Sequence, residues 1–169
     1  LIILLIVSAF FSISETSLMS INRYRLRHLA KNGDTGAKLA TKLLQETDKL
    51  LSVILLCNNF SNAAAATLVT VIAVQLYGEQ EIIIMMGTLI TTFLILIFSE
   101  ISPKVIAAAH SERLALSCSF LLFPILKVLY PIVLFVNIFV LGILKIFNIK
   151  INFKQNNLIT MDELKSIIS

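Results

Sequence analysis

Residues 82–104 read IIIMMGTLITTFLILIFSEISPK. From Ile82 to Ser99 no side chain carries a charge, and Glu100, Pro103 and Lys104 then follow in quick succession. Taken to about Ser102, the run has the length of a helix that crosses the roughly 30 Å hydrocarbon core of a bilayer at about 1.5 Å per residue. The whole chain shares this character. Of 169 residues, 57% are hydrophobic and 14% are charged, whereas a soluble domain carries roughly 25% charged residues. The charges collect in short segments between long uncharged ones, which excludes a soluble globular domain. The expected fold class is an all-α integral membrane protein.

Working outward, Gly78-Glu79-Gln80-Glu81 precedes this run and carries no positive charge, as an external loop should. Before it, Leu50–Tyr77 forms another span, with the small residues Ala63 to Ala66 and Thr67 suited to close helix approach. Leu1–Ile21 is the first span, roughly 31 Å long by helical rise, interrupted by Ser8, Ser12, Ser14, Glu15, Thr16 and Ser17. Between these two spans lies a basic stretch. Arg23, Arg25, Arg27 and Lys31 form a membrane-surface belt, followed by Lys38, Lys42 and Lys49. Asn32-Gly33-Asp34 is a turn signal. Leu26, Leu29 and Ala30, then Leu39, Leu43 and Leu44, recur at helical spacing, so two amphipathic helices are expected at the surface. The excess of Lys and Arg places them, and the return of the third span at Lys104 and Arg113, in the cytoplasm. The net charge of +4 is thereby read as topology and not as nucleic-acid binding.

Leu114–Phe147 is too long for one straight span and contains Pro124, Lys127 and Pro131. A simple crossing would put Lys145, Lys150 and Lys154 outside, against the charge bias. Each proline also frees a carbonyl four residues earlier. A bent juxtamembrane hairpin over about 114–147 removes both problems; four full spans is the alternative. The expected organisation is a transmembrane domain over 1–150, with spans at about 1–21, 50–77 and 82–103. Residues 151–169 begin a cytoplasmic linker or regulatory region, with Thr160 and Glu163 at capping-box positions. The C-terminus is placed inside, and both chain ends read as cuts in a longer protein. Cys57 and Cys118 fall in hydrophobic segments as packing residues, and His28 and His110 fall among loop charges.

The polar residues inside the spans carry the chemistry. Counted from the cytoplasmic ends, Ser12 is roughly 15 Å deep, Asn58 similar, and Glu100 roughly 6 Å. Ser8, Ser12 and Glu15 share one helix face, as do Asn58 and Asn62. Pro103 frees the Ser99 carbonyl beside Glu100, and Ser102 adds an oxygen. Hydroxyl, amide, carbonyl and carboxylate oxygens suit a hard cation such as Mg²⁺, Ca²⁺ or Na⁺ rather than zinc or copper. Ser8, Ser17 and Ser61 are read as bonding neighbouring helices, and Glu15 as pairing with a surface Arg or Lys. Glu100, as an intramembrane carboxylate, is a functional residue by default. Nothing assembles a catalytic set at one depth, so an enzyme is not expected.

Phe10 to Ser20 (FFSISETSLMS), Leu55 to Asn62 (LLCNNFSN) and Ser99 to Lys104 (SEISPK) together resemble the three signatures of the CNNM/CorC family membrane domain. That family is implicated in Mg²⁺ transport. The resemblance implies a homodimer of three transmembrane helices with a juxtamembrane hairpin. It also implies a following cytoplasmic pair of CBS domains that binds adenine nucleotide, which this chain lacks. A Mg²⁺ site is implied at Ser12, Ser14, Asn58 and Glu100, with Asn62 and Ser99 beside it. Where the family usually has Gly, this chain has Ile13, Cys57 and Ser99. The expected function is Mg²⁺ transport, with Na⁺-coupled export taken from the resemblance alone. The alternative is a non-transporting membrane anchor or Mg²⁺ sensor that regulates another transporter; Mn²⁺ and Co²⁺ accept similar oxygen ligands.

Overall fold

The computed structural model describes residues 1–78 and 80–146. The expected linker over 151–169, with Thr160 and Glu163, lies outside the described residues, as do Lys150 and Lys154. Leu1–Val133 forms one compact unit, and Leu134–Ser169 a second, of which 134–146 is the described continuation of a helix.

Helix α1 runs Ile2–Ser20. The chain extends at Ile21, and Asn22 then caps α2 (Arg23–Lys31), its side-chain oxygen accepting from the Tyr24 and Arg25 amides at 3.0 and 3.2 Å. The predicted Asn32-Gly33-Asp34 turn is present. Gly33 sits at φ 97°, a left-handed conformation that costs a side-chain-bearing residue energy. Asp34 accepts from the Ala37 amide at 2.7 Å and so starts α3 (Thr35–Gln45). Helix α4 (Thr47–Tyr77) is stopped by Gly78 at φ 77°. The third hydrophobic element is α5 (Glu81–Leu94), a π-helical stretch Ile95–Ile101, and α6 (Ser102–Ala109). Helix α7 runs Ser111–Ile146.

Among the described residues four segments are long and apolar enough to cross a membrane: Ile2–Ser20, Thr47–Tyr77, Glu81–Ala109 and Ser111–Val136. Their packing inverts that of a soluble protein. Ile82, Met85, Leu89, Phe93 and Phe98 are exposed, as lipid-facing side chains are, while Ser8, Ser12, Ser14, Ser17, Ser61, Thr91, Ser99 and Ser119 are buried. Burying another Leu gains little when lipid is the solvent, so small hydroxyl residues that admit close helix contact take the interior. Helix α1 is central, packing against α4, the π stretch and α6. The apolar core lies towards its basic end, where Leu18 and Ile21 meet Leu26, Ala37, Leu43, Leu50, Ala115 and Leu122.

The expected hairpin over 114–147 is not what forms: one helix continues through both Pro124 and Pro131. Its course explains why no reversal is needed. Glu112 pairs with Arg25 of α2 at 2.7 Å, Leu116 and Phe120 lie against Gly36 of α3, and Tyr130 lies under Lys49 at the start of α4, 4.8 Å from its Nζ to the ring centre. From Glu112 to Tyr130 the helix therefore keeps contact with α2, α3 and the start of α4, the basic layer. Carbonyls freed by proline at the polar end of the bundle can be solvated.

Gly36 allows that contact. A Cβ there would stand 3.1 Å from the Leu116 carbonyl oxygen and 3.2 Å from the Phe120 ring. Gly36→Val is expected to lower the unfolding free energy by about 1–3 kcal/mol, as overpacking does. Gly87→Ala, whose added Cβ meets Val69 at an ordinary 3.8 Å, should leave stability unchanged or raise it by up to about 1 kcal/mol. Thermal unfolding of the two variants in detergent checks this pair.

Candidate metal site

Five oxygen-bearing side chains, Ser8, Ser12, Asn58, Asn62 and Glu100, converge at the contact between α1, α4 and the π stretch. Ser8 is fully buried on α1, and its hydroxyl oxygen lies 2.5 Å from Asn58 Oδ1 and 2.7 Å from Asn62 Oδ1. One turn of helix separates the two asparagines, so α4 presents both to the same hydroxyl. That hydroxyl has one proton for two acceptors, which brings lone pairs together. Asn62 turns its Nδ2 outward and donates to Glu100 Oε1 at 3.2 Å, fixing its own oxygen towards Ser8. Ser12, one turn below Ser8, donates to the Glu100 backbone carbonyl at 3.5 Å, a long and weak bond.

The π stretch sets where Glu100 stands. Pro103 cannot donate to a carbonyl of the preceding turn. Upstream of it the helix widens, and the Ser102 amide bonds the Ile97 carbonyl five residues back. Such widened turns recur at functional sites because they offset side chains and loosen carbonyls. Ser99, fully buried, fastens the stretch to α1 by donating to the Leu5 carbonyl at 3.2 Å. Among the described residues no basic side chain pairs with Glu100; Lys104, one turn away, reaches Glu15 at 3.8 Å instead. The sequence reading of Glu15 as an ion-pair partner is the arrangement observed.

Of the six candidate ligands, Ser12, Asn58, Asn62 and Glu100 meet at this junction and Ser99 anchors it. Ser14 does not join them. It lies about 200° round the helix from Ser12, and its hydroxyl bonds the Phe10 carbonyl of its own helix at 2.7 Å. Ser8 was assigned to helix bonding; it does bond α4, and does so at the centre of the cluster. The signal for it was in the sequence, since Ser8 shares the face of Ser12 and Glu15. The depth count paired Asn58 with Ser12, one turn too low. It also set Glu100 too near the basic end, because Lys104 does not mark that end: the third element continues to Ala109. Ile13 and Cys57 are half-buried against the core, and Ser99 makes the bond to Leu5. Among the described residues no group of three His, Cys, Asp or Glu side chains assembles, so the cluster offers neutral oxygens with one carboxylate. Arg23, Arg25, Arg27 and Lys31 are all exposed on α2, away from it.

Comparison with known proteins places these residues in a wider group. The family model for the cyclin M transmembrane N-terminal domain, CNNM, matches residues 1–169. A UPF0053 protein of Haemophilus influenzae is 46% identical over 169 residues, 100% of this chain and 40% of its own length. The UPF0053 inner membrane protein YfjD of Escherichia coli is 40% identical over 162 residues, 96% of this chain and 37% of its own length. A chloroplastic DUF21 domain-containing protein of Arabidopsis thaliana is 32% identical over 169 residues, 99% of this chain and 25% of its own length. The chain thus spans about two fifths of the two bacterial relatives.

Ser8 is the donor between α1 and α4, so Ser8→Ala leaves the two amide oxygens facing each other without a proton. The expected loss is about 1 kcal/mol, the scale of interhelical hydrogen bonds in membranes. It is measured as a fall in thermal stability in detergent without divalent cation.

Proposed function

The chain belongs to the CNNM family of membrane domains, and from that premise we propose that it is the membrane domain of a Mg²⁺ transporter. It is a multi-pass membrane protein, and its family is not one named for an enzyme. The observation that carries the reading is the convergence of Ser8, Asn58, Asn62 and Glu100 at one junction of three spans, with a carboxylate that no Lys or Arg neutralises among the described residues.

Neutral oxygens and a single carboxylate match what Mg²⁺ takes from protein, a ligand set of one or two carboxylates completed by water. Ser12, Asn58, Asn62 and Glu100, joined by Ser8, supply the oxygens; Ser99 holds the π stretch in place. Ser14, facing away, serves packing. Glu100 supplies the charge that offsets the cost of stripping water from a divalent ion, and the ion in turn removes the cost of a carboxylate held within a span. Transport would alternate access to this junction. Its direction as Na⁺-coupled export, the homodimer and the nucleotide-binding CBS pair beyond this chain are taken from the family resemblance. The basic layer of α2 and α3 marks the cytoplasmic face by the positive-inside rule.

A second reading is a non-transporting anchor that senses Mg²⁺ for another transporter. The exposed basic face of α2, with Arg23, Arg27 and Lys31 outside any ion pair described here, favours it as a partner or lipid contact.

Thermal unfolding of the full-length protein against Mg²⁺ separates these outcomes. Wild type should gain stability once Mg²⁺ passes its dissociation constant, by about 2.7 kcal/mol at a hundredfold excess. Glu100→Gln, which keeps the shape and removes the charge, should show no gain. An equal gain in Glu100→Gln would refute the site. Flux into liposomes holding only this protein then decides between transporter and anchor, since an anchor gives none.

A further inference from the structure

Lys127 is the one charged residue between Leu114 and Leu144, in the apolar length of α7. Among the described residues no carboxylate pairs with it. It lines a cleft of about 260 Å³ between α7 and the α3–α4 corner, together with Lys49, Phe123, Leu126 and Tyr130. A neighbouring cleft of about 220 Å³ shares Phe123 and Leu126 and adds Lys42. The two form one groove with amines on its rim and an aromatic and aliphatic floor.

Glu46 also borders both clefts, but its carboxylate is taken by Lys49 at 3.2 Å. Lys49 is further held over the Tyr130 ring. Lys42 and Lys127 are exposed, without an ion pair described here, and the groove carries a net positive charge. Phe120, one turn before Phe123 on the same face of α7, extends that floor as an exposed apolar side chain. A basic rim opening onto an apolar surface, at the polar end of a membrane bundle, is complementary to a phosphodiester that carries acyl chains.

We propose that this groove is a binding site for the headgroup of an anionic phospholipid, with Lys42 and Lys127 on the phosphate and the acyl chains over Phe123 and Leu126. The lipid would rivet α7 to the α3–α4 corner. The site is separate from the Glu100 junction and does not rest on Mg²⁺ transport.

The test is native mass spectrometry of the full-length protein titrated with phosphatidylglycerol or phosphatidylcholine. Wild type should retain phosphatidylglycerol at least tenfold more tightly. Lys42→Gln with Lys127→Gln should abolish the preference, Lys127→Arg should keep it, and Arg23→Gln with Lys31→Gln, on the belt outside the groove, should keep it too. Unchanged helix content by circular dichroism shows that the variants fold. The proposal is overturned if the groove variant still prefers phosphatidylglycerol, or if the belt variant loses the preference equally. It is also overturned if inorganic phosphate displaces the lipid from wild type, for the ligand is then a free phosphate.

Discussion

The serine face of α1 is the constraint around which this bundle is arranged. In lipid an apolar contact between helices gains little over an apolar contact with acyl chains, so association rests on close approach and on polar groups that find one another. Helix α1 offers Ser8 and Ser12 on one face, both fully buried. Helix α4 covers that face with Asn58 and Asn62, and the third element covers it with the Glu100 carbonyl and the bond from Ser99 to Leu5. The bonds that assemble the spans are thus the same groups that form the candidate site. Packing and chemistry share one set of atoms.

The third element could not serve that face as a plain α-helix. Pro103 removes a donor, and the chain accommodates this by widening over Ile95–Ile101 rather than by breaking. The widened stretch directs both the carboxylate and the carbonyl of Glu100 at neighbouring helices, while Lys104, on the following turn, is drawn off by Glu15. Ion pairing of the basic residue with another partner leaves the carboxylate available.

The basic layer closes the bundle from one end. Asn22 and Asp34 cap α2 and α3, Gly33 turns the chain between them, and Gly36 lets α7 lie close alongside. The apolar core sits here and not in the middle of the spans, because this is where amphipathic helices have water on one side and a hydrophobic gain from burying the other. Arg25 and Glu112 then tie α2 to the start of α7.

The first three long apolar helical elements, the two helices between the first and second of them, the Asn32-Gly33-Asp34 turn and the oxygen-rich character of the interior were legible in the sequence. Each follows from local properties: uncharged length, helical periodicity, and the φ that only glycine adopts cheaply. The motifs containing Ser12, Asn58 and Glu100 lie on the three helices whose polar side chains meet. What tertiary structure decided was offset and rotation. Ser8 rather than Ser12 meets the asparagines, and Ser14 turns away. Helix α7 follows the basic layer instead of folding back at its prolines. A one-turn slide between helices changes no residue's hydrophobicity or propensity. It changes only which side chains touch, and that is settled by packing the whole bundle at once.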